Sequence, residues 1–218
     1  MSIPGPSARR LARRLALVES RNVTYRSDDF PIFWERARGA TIRDTDDHLY
    51  LDLTAAFGVA NLGHGHPAIR QAIMAQTAKL WHGMGDVHPS RVKVELLEAL
   101  ASIAPGRLAK SILSSSGAEA VESALKTARL YTGKPGVLAF EGAYHGLTYG
   151  ALTATQRPDF SESFRDQLAG FTVHAPYPDA VHGPEEAVGG ILYGWHRRDR
   201  TCMVPGDQLG EGKDQDRR

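Results

Sequence analysis

The chain has 218 residues and a formal charge of +1, from 26 Lys and Arg against 25 Asp and Glu, with 42% hydrophobic residues and 22 glycines. That length can bury a substantial core as one large or two small domains, and the balanced charge excludes nucleic acid as principal partner, since a phosphate-backbone binder carries a strong basic excess. A single cysteine, Cys202, excludes an internal disulfide framework, and no apolar run approaches the ~20 residues of a membrane span, so the sequence reads as a soluble, cytoplasmic α/β protein.

From the N-terminus, Ser7 to Ser20 reads as a helix with Arg9, Arg10, Arg13 and Arg14 on one side and Leu11, Leu15 and Val18 toward the other. An Arg-rich, acid-poor start fits either an organellar transit peptide or a surface helix docked by its leucines. Phe30–Trp34, Ala40–Arg43 and His48–Leu53 read as short strands, the last two joined by the turn-forming Asp44-Thr45-Asp46-Asp47 into a hairpin. Thr54 to Pro67 is a loop of glycines and small residues containing Gly63-His64-Gly65-His66-Pro67. His64 and His66 have the spacing of metal ligands, but His82, His88 and His145 are too scattered to complete a set. Ala68–Leu80 and Arg91–Ile103 carry helical periods, the second with the stripe Val94, Leu97, Leu100 and Ala101 and a stop at Pro105-Gly106. Between them, Trp81–Pro89 is a loop whose glycines flank Met84, which suggests backbone near a site or a subunit interface.

The stretch from Lys110 to Tyr131 reads as strand, tight turn, helix. Ser111–Leu113 is a short apolar-leaning run, three serines and a glycine follow, and then Ala118, Val121, Leu125 and Ala128 recur at helical spacing. Ser116 and Glu119 have the spacing of a capping box, which starts the helix at Ser116 or Gly117; Gly133 and Pro135 supply its stop. Small residues, hydroxyls and exposed N–H groups at a helix start form a cradle for an anion such as phosphate. An ordinary capped helix without a ligand fits the same residues, and the P-loop spacing is absent. Val137–Phe140 reads as the next strand, with the turn Glu141–Gly146 behind it. A parallel strand-helix-strand unit with a right-handed crossover would put that turn and Ser115–Ala118 at the same carboxyl end of the sheet. Tyr144 then has two readings, a ring-stacking residue or a buried core tyrosine. Leu147–Thr155 is helical or extended, Phe160 and Phe164 look like anchors of a surface loop, and Phe171–His174 is a candidate third strand.

The segment SSSGAEAVESALKTARLYTGKPGVLAFEGAYHG resembles the class-III pyridoxal-phosphate-dependent aminotransferases, and LYLDLTAAFGVANLGHGHPAIRQAI is similar to the same family's upstream region. The resemblance covers roughly residues 30 to 165. It implies the fold of the pyridoxal-phosphate-dependent transferases (the aspartate aminotransferase fold), with an N-terminal hairpin region followed by the first half of a large, mainly parallel sheet domain. It further implies transamination between an amino donor and a keto acid, with pyridoxal phosphate as cofactor and a homodimer as the intact family's assembly. On this sequence it implies Ser116, Gly117 and Ala118 as phosphate ligands and Tyr144 as the stacking residue, with His145 a weaker neighbour. The family has Gly-His-x-His-Pro without a metal, and it commonly has Gly in the hairpin turn where this chain has Asp46 and Asp47, a departure expected to matter little.

The pattern departs after about Tyr177-Pro178-Asp179. Family members continue to an Asp that pairs with the pyridine nitrogen and a Lys that forms the Schiff base, and neither is recognisable here, so the catalytic residues are unknown. None of Lys79, Lys93, Lys110, Lys126, Lys134 and Lys213 follows a strand and precedes a glycine-rich turn. The expected organisation is a helix and hairpin over 1–60, half of a cofactor-binding domain over 61–180 and a divergent, disordered tail over 181–218. A premature stop or frameshift in a longer gene accounts for such a tail. The competing reading is a genuine short protein that binds pyridoxal phosphate or another phosphorylated ligand without catalysis and pairs with a homologue. A metal hydrolase built on the histidines is a third. Half a sheet exposes an edge and apolar faces, so the chain alone is expected to self-associate.

Overall fold

The computed structural model describes residues 2–177 other than Asn22; the expected disordered tail lies outside the described residues. The chain divides into two compact units, with the division falling inside a helix between Val94 and Glu95.

In the first unit, α1 (Pro6–Val18) precedes the antiparallel strands β1 (Trp34–Arg38), β2 (Thr41–Asp44) and β3 (Leu49–Leu51), in spatial order β1-β2-β3. The first strand starts at Trp34 and not at Phe30. Pairing with β2 decides this: Arg38 faces Thr41 across the Gly39-Ala40 turn, and the ladder runs back only to Trp34 opposite Asp44, with an irregularity on the way. A loop follows β3, and then α2 (Pro67–Thr77), shorter at its C-terminal end than the period suggests.

The turn between β2 and β3 organises this unit. Asp44 is 2% exposed; its carboxylate accepts from the Asp46 and His48 backbone N–H groups, from His48 Nδ1 and from the Tyr50 hydroxyl, all at 2.8–2.9 Å. Burial alone would push this carboxyl up, but the hydrogen bonds from His48 and Tyr50 outweigh it and hold Asp44 down at about 2. Burial and the bond to Asp44 push Tyr50 up to about 12. Asp46 reaches back to α1 and accepts from the N–H groups of Ser7 and Ala8, both at 2.8 Å, so it caps a helix 38 residues upstream. Asp47 takes a left-handed φ of 64° and pairs with the exposed Arg36 and the half-buried Arg43. The two Asp residues in place of Gly therefore matter more than expected: one anchors α1, and the other meets the positive φ that Gly would have met at less steric cost.

The second unit begins within α3 (Arg91–Ile103), which has the limits its period predicts. Then come α4 (Gly117–Thr132), β4 (Val137–Phe140), α5 (Tyr149–Ala154), α6 (Pro158–Ser161), a 3-10 turn (Glu162–Phe164) and β5 (Thr172–Ala175). The parallel pair is β4 with β5, in register from Val137–Thr172 to Phe140–Ala175. Ser111–Leu113 is not a strand, contrary to expectation. A strand needs a neighbour to take its backbone N–H and C=O groups, and no described segment pairs with 111–113. The crossover joining the parallel pair thus runs through α5 and α6, not through α4. Its core is a layer of four alanines and one leucine, Ala139, Ala151, Leu152, Ala154 and Ala175, where α5 lies on both strands.

No residue of α2, α3 or α4 is buried. Leu130 and Tyr131 near the end of α4 are 86% and 91% exposed, and Ile112, Leu108 and Ile103 are also open. Among the described residues no helix is long and apolar enough to cross a membrane.

Two outcomes follow from this architecture. Asp44→Ala leaves the His48 amide and the Tyr50 hydroxyl without their acceptor and should cost about 3 kcal/mol in denaturant unfolding. Because the folded Asp44 titrates below its ordinary value of 3.8, its contribution should be complete above about pH 4 and vanish as pH falls through about 2; stability of the wild type and of the variant should converge there. The apolar residues left open on α2 to α4 should make the isolated chain self-associate. Analytical ultracentrifugation across a concentration series checks this, and a monodisperse monomer that melts cooperatively would contradict it.

Candidate functional site

The start of α4 is built by its own sequence. The Ser116 hydroxyl accepts from the Glu119 N–H at 3.2 Å, as an N-cap does. The Glu119 carboxylate, however, turns back to Ser115, accepting from its N–H at 2.8 Å and from its hydroxyl at 2.5 Å. The capping box is thus displaced by one residue on its acidic side. Those bonds from Ser115 hold Glu119 below the usual carboxylate range. At the other end, Gly133 takes φ 69° and its N–H bonds to the Arg129 carbonyl, while the Arg129 guanidinium donates to the Gly133 carbonyl, closing the helix where expected.

With Ser115 engaged, the amides of Gly117 and Ala118 have no partner among the described residues. Nothing lies within 4 Å of the position a Cβ would take on Gly117. An open space in front of two unpaired N–H groups, at the positive end of a helix of 16 residues, suits an oxyanion.

Gly146 meets this helix start. It is buried, has φ 132°, and a Cβ placed on it would lie 2.7 Å from the Ala118 Cβ and 3.1 Å from the Ala151 Cβ. Only a residue without a side chain fits between α4 and α5 here. The structure thus packs Ala118 on Gly146, the last residue of the Tyr144-His145-Gly146 turn, through side-to-side contact of helix and loop and without the strand at 111–113 that the sequence reading expected. The turn is itself clamped. The His145 N–H donates to Thr155 Oγ1 at 2.9 Å, and the Gly142 N–H donates to Gln156 Oε1 at 2.9 Å; the Gln156 N–H returns to the Ala143 carbonyl at 3.0 Å.

Tyr144 is 53% exposed, which removes its buried-core reading. Its ring stands edge to face with Phe160, centroids 5.4 Å apart, and the Arg157 guanidinium lies 5.0 Å above the same Phe160. Phe160 and Phe164 belong to α6 and the 3-10 turn, and they anchor tyrosines: Phe164 packs against Tyr149. The His145 ring has no partner among the described residues and is half-buried.

Sequence reasoning missed Glu122. One α-helical turn beyond Ala118, its carboxylate accepts from Thr148 Oγ1 at 2.7 Å and from the N–H groups of Gly150 and Ala151 at 2.7 and 3.2 Å. Hydrogen bonding from Thr148, opposed by partial burial and aided by the α5 amides and the Lys126 charge, holds it below the usual carboxylate range. A Cβ on Gly150 would overlap this carboxylate. The available signal was a carboxylate four residues from the cradle on the same helical face.

The histidine pair of the first unit is used differently. His64 Nε2 lies 2.7 Å from the Asp52 carboxylate, whose other oxygen holds the Thr54 and Ala55 amides, and the His64 backbone exchanges two bonds with Gly39. The bond to His64, with that to Thr54, holds Asp52 low. Among the described residues no three His, Cys, Asp or Glu side chains converge on a point that could hold a metal ion. In the loop between, Ala55, Ala56, Phe57 and Gly58 all take positive φ, a left-handed turn that presents Phe57 to solvent.

The sequence pattern of the family Aminotransferase class-III matches residues 23–198. Acetylornithine aminotransferase of Methanopyrus kandleri is 39% identical over 159 residues, which is 73% of this chain and 40% of that protein. The 4-aminobutyrate aminotransferase of Mycobacterium leprae is 38% identical over 197 residues, 88% of this chain and 44% of that protein. The crystal structure of an (S)-enantioselective omega-transaminase from Thermomicrobium roseum superimposes with a TM-score of 0.74 at 28% identity, covering 87% of this chain and 46% of the other. The chain spans less than half the length of the relatives it matches.

The packing at Gly146 is open to a direct measurement. Gly146→Ala adds a methyl into Ala118 at a φ that side chains rarely adopt, and should cost more than about 2 kcal/mol in urea unfolding. Gly117→Ala, with open space before it, should change stability by less than about 1 kcal/mol.

Proposed function

Because the chain belongs to the class-III aminotransferase family, whose members have the pyridoxal-phosphate-dependent transferase fold and use that cofactor, we propose that its α4 start and its Tyr144 turn form the cofactor's binding site. Ser116, Gly117 and Ala118 take the phosphate, with two backbone amides and a hydroxyl as donors. Tyr144 lies against the ring, and His145 borders it. The observation that carries this reading is the packing of Gly146 on Ala118, which joins a phosphate cradle to an exposed aromatic ring across 28 residues of sequence.

Bound, pyridoxal phosphate supplies an aldehyde that takes up an amino group and a ring that withdraws electrons from the neighbouring carbon. The chain's own residues supply the phosphate anchor, which fixes the ring's position, and an aromatic wall, which fixes its tilt. The reaction of the whole enzyme is transfer of an amino group from an amino acid or amine to a keto acid, in the cytoplasm and in a homodimer.

This chain by itself binds and does not turn over. None of Lys79, Lys93, Lys110, Lys126 and Lys134 stands behind a strand and before a glycine-rich turn, so among the described residues no lysine is offered to the aldehyde from the bound side. A pyridoxal-phosphate-binding module paired with an intact homologue has the same observations behind it, and the second arm of the test below separates it from an enzyme.

Titration with pyridoxal phosphate, followed by protein fluorescence, should saturate in the wild type and weaken at least about 10-fold in Gly117→Leu, whose side chain enters the cradle from a Cβ position with no atom within 4 Å. Borohydride treatment of the loaded chain followed by peptide mass mapping should find no single lysine carrying the reduced cofactor. Stoichiometric labelling of one lysine would show that the chain holds its own catalytic residue.

A further inference from the structure

Three features of the second unit converge on one carboxylate. Glu122 lies on the same face of α4 as Ala118, and its Oε1 collects the Thr148 hydroxyl and the first amides of α5, from Gly150 and Ala151. Thr155, just past the end of that helix, bonds the His145 amide and lies within 3.1 Å of the carbonyls of Gly146 and Ala151. The Tyr144 turn is therefore held from two directions, by Gly146 against Ala118 and by α5, and α5 is itself fixed to α4 through Glu122. A carboxylate with a hydroxyl and two amides around it is a strong, directional joint. Its neighbour Gly150 leaves no room for a side chain on the approaching backbone.

We propose that Glu122 is a positioning residue for cofactor binding: it sets the distance and tilt between the phosphate cradle at Gly117-Ala118 and the ring-stacking Tyr144, and touches neither phosphate nor ring. The inference rests on the cofactor site proposed above. It has a signature that a general loss of packing lacks. Freeing α5 from α4 leaves the cradle amides where their own helix puts them, so a ligand that is phosphate alone should be indifferent to Glu122. A ligand that needs phosphate and ring held together should not be.

The test uses the full 218-residue chain, with pyridoxal phosphate as probe and inorganic phosphate measured as its competitor. In Glu122→Ala the dissociation constant for pyridoxal phosphate should rise about 10-fold, while that for phosphate changes by less than about 2-fold. The amides of Gly150 and Ala151 should lose hydrogen-exchange protection. Glu122→Gln, which keeps an acceptor oxygen, should restore most of the affinity and the protection. Should Glu122→Ala fail to fold, Thr148→Val carries the same test: it removes one donor from the joint and should weaken pyridoxal phosphate about 3-fold with phosphate unchanged. Equal weakening of both ligands, no weakening of either, or no recovery in the Gln variant overturns the proposal. A wild-type chain that binds no pyridoxal phosphate, or binds it undisturbed by Gly117→Leu, overturns the cofactor site and this inference with it. Saturable, Gly117-dependent binding that ignores Glu122 sinks the inference alone.

Discussion

The second unit depends on a backbone that comes too close to a helix for any side chain to intervene. At Gly146 the chain passes over Ala118 and Ala151 at methyl contact, and that approach seats the Tyr144 turn on the start of α4. It sets a loop bearing an exposed tyrosine against a helix whose first two amides have no partner among the described residues. The close approach is made durable by polar bonds around it and not by apolar bulk. Among the described residues the buried side chains of this unit are mostly alanine and threonine, small groups whose burial supplies little stabilisation, so the joints at Glu122, Thr155 and Gln156 carry much of the local order.

The first unit is solved by the same means. Asp44 satisfies its own turn, Asp46 satisfies the start of α1, and Asp52 satisfies the loop after β3 together with His64. Three carboxylates in nine positions thus tie a helix, a hairpin and a long loop, each bonded to more than one amide or hydroxyl. Such groups resist substitution because a neutral, shorter side chain leaves several donors without an acceptor at once.

Local grammar was legible in the sequence wherever one segment decides its own structure. The period of Arg91–Ile103 with Pro105-Gly106 behind it, Ser116 as cap, Gly133 as stop and Val137–Phe140 as strand all follow from neighbours within a few residues. The features that need a distant partner were not legible. Phe30-Pro31-Ile32-Phe33 reads as strand by composition, yet β2 decides where β1 begins. Ser111–Leu113 has the composition of a strand and lacks the neighbour that would make it one. Glu122 looks like an ordinary solvated helix residue until α5 arrives, and Asp46 like an ordinary turn residue until α1 does. The proximity of Ala118 to the Tyr144 turn was anticipated from strand order, and it arises instead from glycine packing, so a correct juxtaposition stood on the wrong cause.

The fit at Gly146 also constrains how this sequence can diverge. A methyl gained at 146 cannot be accommodated by trimming position 118, because the left-handed φ would still disfavour it, and a larger residue at 118 presses on a backbone already in contact. Position 150 is freer: its obstacle is the end of a side chain, and a shorter acid at 122 opens room for it. Across an alignment, 146 should therefore stand fixed on its own, whereas 122 and 150 should change together.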